Sequence, residues 1–474
     1  MVSDWGYIMG ELNLRLDKES STPLFEQLYT HIKEEITGGH FVQNEKLPSK
    51  RRLAVSLQCS QNTIQAAYNQ LVDEGYLKAK PKSGYYVAAL DGVLTLDAKK
   101  PVISDSQNQI ISYIYDFSHQ GVDYECFPFV IWRRLTRDVI NENDRDLMRI
   151  GHPQGLLELR ASIARYLHQS RGVNCAPEQI IISSGTEFLL QLLIQLFDNA
   201  AVYAIENPGY EKLSMIFRSN KASVAAVSLD ENGMLPDELE KSGANVVCVT
   251  PSHQFPTGSI MPVTRRIQML NWAYEEPDRF IVEDDYDSEF RYSGKPIPSL
   301  QGLDHQCKVI YIGAFSKSLS PALRISYMVL PESLIKLYSE KLNFYICPVP
   351  TIEQKVLQLF IDEGHFERHL NRVRNLYRRK REALVTAIHD TMPRAEIHGT
   401  SAGLHCTLCV SNGMSEQELI DAARLQGVKV YGLSRYYSVS SNRGDRPLLI
   451  GFATLKISEI LDAVGRLKKA WFTY

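Results

Sequence analysis

The sequence predicts an α/β protein with a mainly parallel sheet, carrying a small helical unit at its N-terminal end. Three observations predict it. The 474 residues give room for two or three separately buried cores. From about residue 111 onward, short apolar runs of β type alternate with helical stretches, the pattern of a parallel sheet covered by helices. Ahead of them, the segment from about residue 14 to 90 has helix caps, tight turns and a local excess of positive charge.

Composition narrows the class. With 44% hydrophobic and 23% charged residues the chain reads as an ordinary soluble protein. No apolar run approaches the ~18 residues of a membrane helix. The opening MVSDWGYIMGELNLRL places an acid where a secretory signal carries positive charge, so a cytoplasmic location is expected. The 8 cysteines are scattered, and the one close pair, Cys406 and Cys409 in GLHCTLCV, lies on an alternating run whose positions three apart face opposite ways. That pair reads as part of a strand, and no metal site is expected. The net charge of −3 hides an asymmetry: between Lys46 and Leu90 seven lysines and arginines face only Asp73 and Glu74. A local anionic partner is implied.

The first element is TPLFEQLYTHIKEEITGG, where Leu24, Leu28, Ile32 and Ile36 recur at helical spacing and two glycines stop the helix. In LPSKRRLAVSLQCSQNTIQAAYNQLVDEGYL, Ser49 caps a short helix through Leu57, and Ser60 caps a second through about Glu74, with Gly75 ending it. Two short helices joined by a tight turn form a helix-turn-helix, whose second member enters the major groove of double-stranded DNA. Ser60, Gln61, Asn62 and Thr63 occupy its first turn, where side chains reach base edges. Lys50, Arg51 and Arg52 precede it. YLKAKPKSGYYVAAL follows as two strands around a tip that holds Lys82 and Gly84. Pro23-Leu24-Phe25, the run Leu47 to Ala54, Ser60 to Ile64, and Gly84-Tyr85-Tyr86-Val87 resemble the GntR-type winged helix over residues 22–88. Gln61 departs from it, since that family often has arginine there.

The stretch DGVLTLDAKKPVISDSQNQI, residues 91–110, has no period and reads as a linker to a domain over residues 111–474. In that domain QIIISSG, AVYAI, NVVCVT, RFIVEDDY and KVIYIGA read as strands, and EFLLQLLIQLF and RRIQMLNWAYEE as helices. Sheets of this class bind ligands at the carboxyl ends of their strands. There the chain places Gly185 and Thr186 opening a helix, Asp284 and Tyr286 two apart on one face, and Lys317 followed by Arg324. Together they suit pyridoxal 5'-phosphate. Lys317 offers the amine for a Schiff base, Asp284 a carboxylate for the pyridine nitrogen, and Tyr286 a hydroxyl for the phenolic oxygen. Gly185, Thr186, Ser316 and Arg324 make a phosphate pocket, and Tyr210 offers a face for the ring.

The motifs GHPQGLLELR, SSGTE, ENPGY, PSHQFPTG, EDDYDSEF and SKSLSPALR resemble the fold-type I aminotransferases over residues 115–474. With the winged helix in front, the whole chain resembles the MocR/GabR family of bacterial transcription regulators. The resemblance implies a mainly parallel central sheet, a smaller C-terminal α+β subdomain, a homodimer and a small amine or amino-acid effector. It also implies that Arg435, in YGLSRYY, grips an effector carboxylate through its guanidinium fork. Lys212 adds a second cation beside Tyr210 and points to an acidic effector.

Two readings follow. In the first, the chain is a regulator that senses an amine, or pyridoxal phosphate itself, through an aldimine at Lys317. In the second it is a working aminotransferase carrying a DNA-binding module. Phe255 stands where aminotransferases place an asparagine that donates to the cofactor's phenolic oxygen. Its loss favours the first reading and predicts a raised imine pKa. Ala314 and Ala322 are smaller departures from the family pattern.

Overall fold

The computed structural model describes residues 14, 16–89, 113–141, 145–197, 201–292, 297–438 and 447–472. It divides into two compact units, Met1–Ile110 and Ile111–Tyr474. The segment read as a linker, 91–110, lies outside the described residues.

In the first unit α1 (Leu24–Thr37), α2 (Lys50–Ser56) and α3 (Gln61–Asp73) precede the hairpin β1 (Leu77–Lys80) and β2 (Gly84–Val87). Ser49 accepts from the Arg52 amide and Ser60 from the Thr63 amide, at 3.3 and 3.1 Å, so each cap satisfies a first-turn donor. Gly38 terminates α1 as its C-cap, and Gly75, at φ 83°, follows the α3 cap Glu74. The helical spacing of Leu28, Ile32 and Ile36 buries them against Ile64, Ala67, Tyr68 and Leu71 of α3. Each large apolar side chain so buried contributes about 1.5–3 kcal/mol. The hairpin pairs Leu77 with Val87 and Lys80 with Gly84, and its tip turns through Lys82 at φ 59° and Gly84 at φ 117°.

The strands of the second unit are β3 (Tyr115–Asp116), β4 (Ile180–Ser183), β5 (Val202–Asn207), β6 (Ser223–Asp230), β7 (Gly233–Met234), β8 (Val246–Val249), β9 (Phe280–Asp285), β10 (Val309–Ala314) and β11 (Ser326–Val329), then β12 (Ala395–His398), β13 (His405–Val410), β14 (Val428–Lys429), β15 (Tyr431–Gly432) and β16 (Leu448–Gly451). Eight of them form one sheet in the order β4-β11-β10-β9-β8-β5-β6-β7. From β6 through β5, β8 and β9 to β10 every pairing is parallel. β11 runs antiparallel to both of its neighbours, and β7 folds back on β6. β4 and β8 are buried along their whole length, as befits strands covered on both faces.

A second sheet, β12-β13-β16-β15, is antiparallel throughout. It shares a core with the helices His365–Thr391, Glu416–Leu425 and Ile457–Phe472, and so forms the smaller α+β subdomain. Cys406 is buried on β13 and Cys409 is half-buried. Among the described residues no helix is long and apolar enough to cross a membrane.

Candidate functional site

The carboxyl ends of the parallel strands converge on a cavity of about 250 Å3. The turn after β4 contributes Gly185 and Thr186, the end of β5 leads to Tyr210 and Lys212, and the end of β9 carries Asp284, with Tyr286 just beyond the strand. Ser316, Lys317 and Arg324 follow β10. All eight residues assigned to a cofactor, and Lys212, therefore line one space. The parallel register sets Asp284 beside Ile312 on the neighbouring strand, five residues before Lys317.

The chemistry of the wall follows from its burial. Lys317 is enclosed, which disfavours its charged form and pushes its pKa down to about 8, although Asp287 opposes the shift. Its amine donates to the His119 carbonyl at 2.6 Å. Asp284 is pushed up to about 7 by burial and then by the charges of Asp285 and Glu206. No hydrogen bond within the described residues holds its ionised form, so a cationic group beside it would lower its pKa again. Tyr286 donates to the His253 carbonyl at 2.9 Å and lies 3.1 Å from His253 Nδ1, which is itself 3.0 Å from Asp287.

Gly185 opens the helix Thr186–Leu196 at φ 93°, a left-handed conformation that only glycine adopts without strain. A Cβ at that position would run into the Arg324 guanidinium and come within 2.7 Å of Glu187 Oε2. Backbone, arginine and helix N-terminus thus form a cradle sized for an anion. A pyridine nitrogen fits Asp284, an aldehyde fits the Lys317 amine, a phosphate fits the Gly185 cradle, and Tyr210 offers a ring face, so pyridoxal phosphate suits this donor set. Phe255 is buried edge-on against Tyr210 and Tyr436, at 5.8 and 5.0 Å between ring centres, and supplies no donor.

The remaining effector candidate is Arg435. It is absent from the cavity lining and forms an ion pair with Glu211, Nη2 to Oε1 2.7 Å. Several residues escaped the sequence reading: Glu187, His119, Asp287 and His405 line the cavity, and His253 lies 3.0 Å from Asp287. PSHQFPTG and EDDYDSEF held two of them, His253 and Asp287, in plain view, but nothing in their spacing announced a buried cluster. The ligating atoms of His253, Asp287 and His405 come within 4.8 Å of one another, a grouping the expectation of no metal site did not foresee.

In the first unit Arg51, Arg52, Ser60, Gln61, Asn62 and Lys82 are exposed, while Thr63 and Gly84 are half-buried. Ser60 and Thr63 hydroxyls are 2.8 Å apart, which commits Thr63 to the cap. Lys50 is half-buried and donates to Gln65 of α3, so its charge braces the two helices. Lys80 packs over the Tyr86 ring at 4.4 Å, which stiffens the wing.

These features define a DNA-binding winged helix joined to an aminotransferase-type cofactor domain. Residues 24–87 match the family of bacterial regulatory proteins called gntR, and residues 123–466 match aminotransferase class I and II. The chain is 41% identical over 460 residues to the HTH-type transcriptional regulator YdeL of Bacillus subtilis, covering 96% of this chain and 98% of that one. It is 32% identical over 474 residues to the probable rhizopine catabolism regulatory protein MocR of Rhizobium meliloti, covering 97% and 96%. Among solved structures, a kynurenine aminotransferase of Pyrococcus horikoshii superposes with a TM-score of 0.68 at 25% identity, covering 76% of this chain and 92% of that one. The chain belongs to the MocR-type family of HTH transcriptional regulators, in which a gntR-type DNA-binding domain is fused to an aminotransferase class I and II domain.

Proposed function

We propose that the second unit is the sensing part of this regulator, that pyridoxal phosphate rests there against Lys317, and that an amine or amino acid, or the cofactor itself, sets its state. One observation carries the reading: a half-buried lysine with its pKa lowered to about 8 shares a cavity with a carboxylate that has no hydrogen-bond partner among the described residues and with a glycine-arginine cradle. Pyridoxal phosphate supplies an aldehyde that exchanges one amine for another and a ring that withdraws electrons. The chain's own residues do the rest. Asp284 would keep the ring nitrogen protonated, Tyr210 would offer the ring a face, and Ser316, Thr186 and Arg324 would hold the phosphate. Lys212 draws an effector's carboxylate to the mouth. Arg435 can grip that carboxylate only when Glu211 yields it, so the effector must compete with an internal acid.

The first unit reads operator DNA with the first turn of α3, while Arg51, Arg52 and Lys82 hold phosphates. A homodimer in the cytoplasm, reading paired half-sites, suits both units. Phe255 supports a sensor over a turnover catalyst, because it withdraws a donor from the cofactor's phenolic oxygen.

The test is the visible absorption spectrum of the full chain with pyridoxal phosphate and a panel of amines and amino acids. A band that shifts with one amine and then persists supports the sensor. A band that decays to the colourless aminated cofactor and returns with a keto acid contradicts it.

A further inference from the structure

We propose that Glu187 is a built-in occupant of the phosphate cradle: it holds Arg324 until a phosphate displaces it, and so makes loading of the site weak, reversible and responsive to cofactor concentration. The inference rests on the reading of the cavity as a pyridoxal phosphate site.

Three observations carry it. Glu187 Oε2 lies 2.8 Å from Arg324 Nη2, and both residues line the cavity. The ion pair sits directly over Gly185, where an added Cβ would meet both partners, so the carboxylate occupies the space against the glycine that an anion must enter. Lys212 lines the same cavity, and its charge acts on Glu187. Although burial pulls the other way, the Glu187 amide, Arg324 and Lys212 together hold this carboxyl below its ordinary pKa, so it is ionised.

A phosphate dianion and an ionised carboxylate cannot share one guanidinium and one helix N-terminus without mutual repulsion. Binding must therefore break the Glu187–Arg324 pair, and affinity falls by the fraction of molecules in which the pair is closed. Lys212 offers the displaced carboxylate a second partner, which gives Glu187 two positions, on Arg324 when the cradle is free and on Lys212 when it is filled. The pair is partly exposed, 47% and 36% for its two side chains, so the competition is modest. Exposed pairs of this kind shift an equilibrium by up to about fivefold. A permanently held prosthetic group gains nothing from such a competitor, whereas a site that reports occupancy does.

The test uses the full chain stripped of cofactor. Dissociation constants for pyridoxal phosphate and for pyridoxal are measured by absorbance for the wild type, Glu187→Gln and Glu187→Asp, with inorganic phosphate as a competitor. Glu187→Gln is expected to tighten pyridoxal phosphate by about two- to fivefold, leave pyridoxal unchanged, and let inorganic phosphate compete at correspondingly lower concentration. Glu187→Asp, which keeps the charge, stays near the wild type. Unchanged or weaker pyridoxal phosphate binding in Glu187→Gln overturns the proposal, as does an equal change for pyridoxal. A wild type that binds no pyridoxal phosphate at all overturns the reading of the cavity itself, a result separate from any behaviour of the variants.

Discussion

The Lys317 amine donates to the backbone carbonyl of His119 at 2.6 Å. This contact spans 198 residues and ties the segment behind β3 to the loop that leaves β10. Any event that commits the lysine nitrogen to a covalent bond takes a donor away from His119. The His119 ring faces Phe255 at 5.3 Å and Tyr436 at 6.1 Å between ring centres, and Arg435 is the neighbour of Tyr436. A change at the lysine is therefore felt by the wall next to the expected effector arginine.

Lys317 should add to pyridoxal phosphate as its neutral amine. With a pKa lowered to about 8, the rate of Schiff-base formation rises with pH and levels off above about pH 8. An ordinary surface lysine would keep gaining rate to about pH 10. Stopped-flow absorbance across this range distinguishes the two, and Lys317→Ala abolishes the band while leaving the fold intact.

Asp284 leaves a signature in stability. Its folded pKa of about 7 lies above its unfolded value of 3.8, so between those values the folded state holds more protons. Stability from this group is complete below the unfolded value and is lost as pH rises through about 7. Thermal melting of the cofactor-free protein therefore falls across that window, and Asp284→Asn makes the fall shallower. Glu206 and Glu283 are pushed the same way by burial, so the slope is reduced and not abolished. The same variant weakens pyridoxal phosphate by about tenfold, the equivalent of one pKa unit of lost pairing.

Phe255→Asn restores a donor among Tyr210, Tyr286 and His405. A donor to the cofactor's phenolic oxygen spreads its charge and loosens the imine proton, so the imine pKa falls. Colour titration of the loaded variant checks it, with a drop of about one unit expected for one hydrogen bond of ordinary strength.

Arg51→Ala and Arg52→Ala remove exposed charges beside the capped recognition helix. Each should weaken DNA binding evenly across sequences and lower the slope of log affinity against log salt by about 1. Lys50→Ala acts through stability instead, since that side chain spends its charge on Gln65.

The strand ends were legible because a strand buried on both faces reads as an unbroken apolar run, and the first small or polar residues after it mark the binding edge. Asp284 and Tyr286 could be paired because residues two apart on an extended segment share a face. The place of β11 was not legible: Ser326 to Val329 read the same in either direction, and only the fold inserts them antiparallel between β4 and β10. Nor were the ion pairs. Glu187 and Arg324 stand 137 residues apart and Glu211 and Arg435 stand 224 apart, and no period links partners at such distances. Arg435 was assigned through the family resemblance of YGLSRYY alone, and nothing in that stretch names Glu211 as its partner.

The central claim is that chemistry at Lys317 governs DNA binding. Its most direct test is the affinity of the full chain for a duplex selected from a random-sequence pool, measured by fluorescence anisotropy with and without pyridoxal phosphate and each amine of the panel. The account predicts that cofactor, or cofactor with one amine, changes the affinity several-fold in the wild type and leaves Lys317→Ala unmoved. An affinity indifferent to both in the wild type, or an equal response in Lys317→Ala, would contradict it.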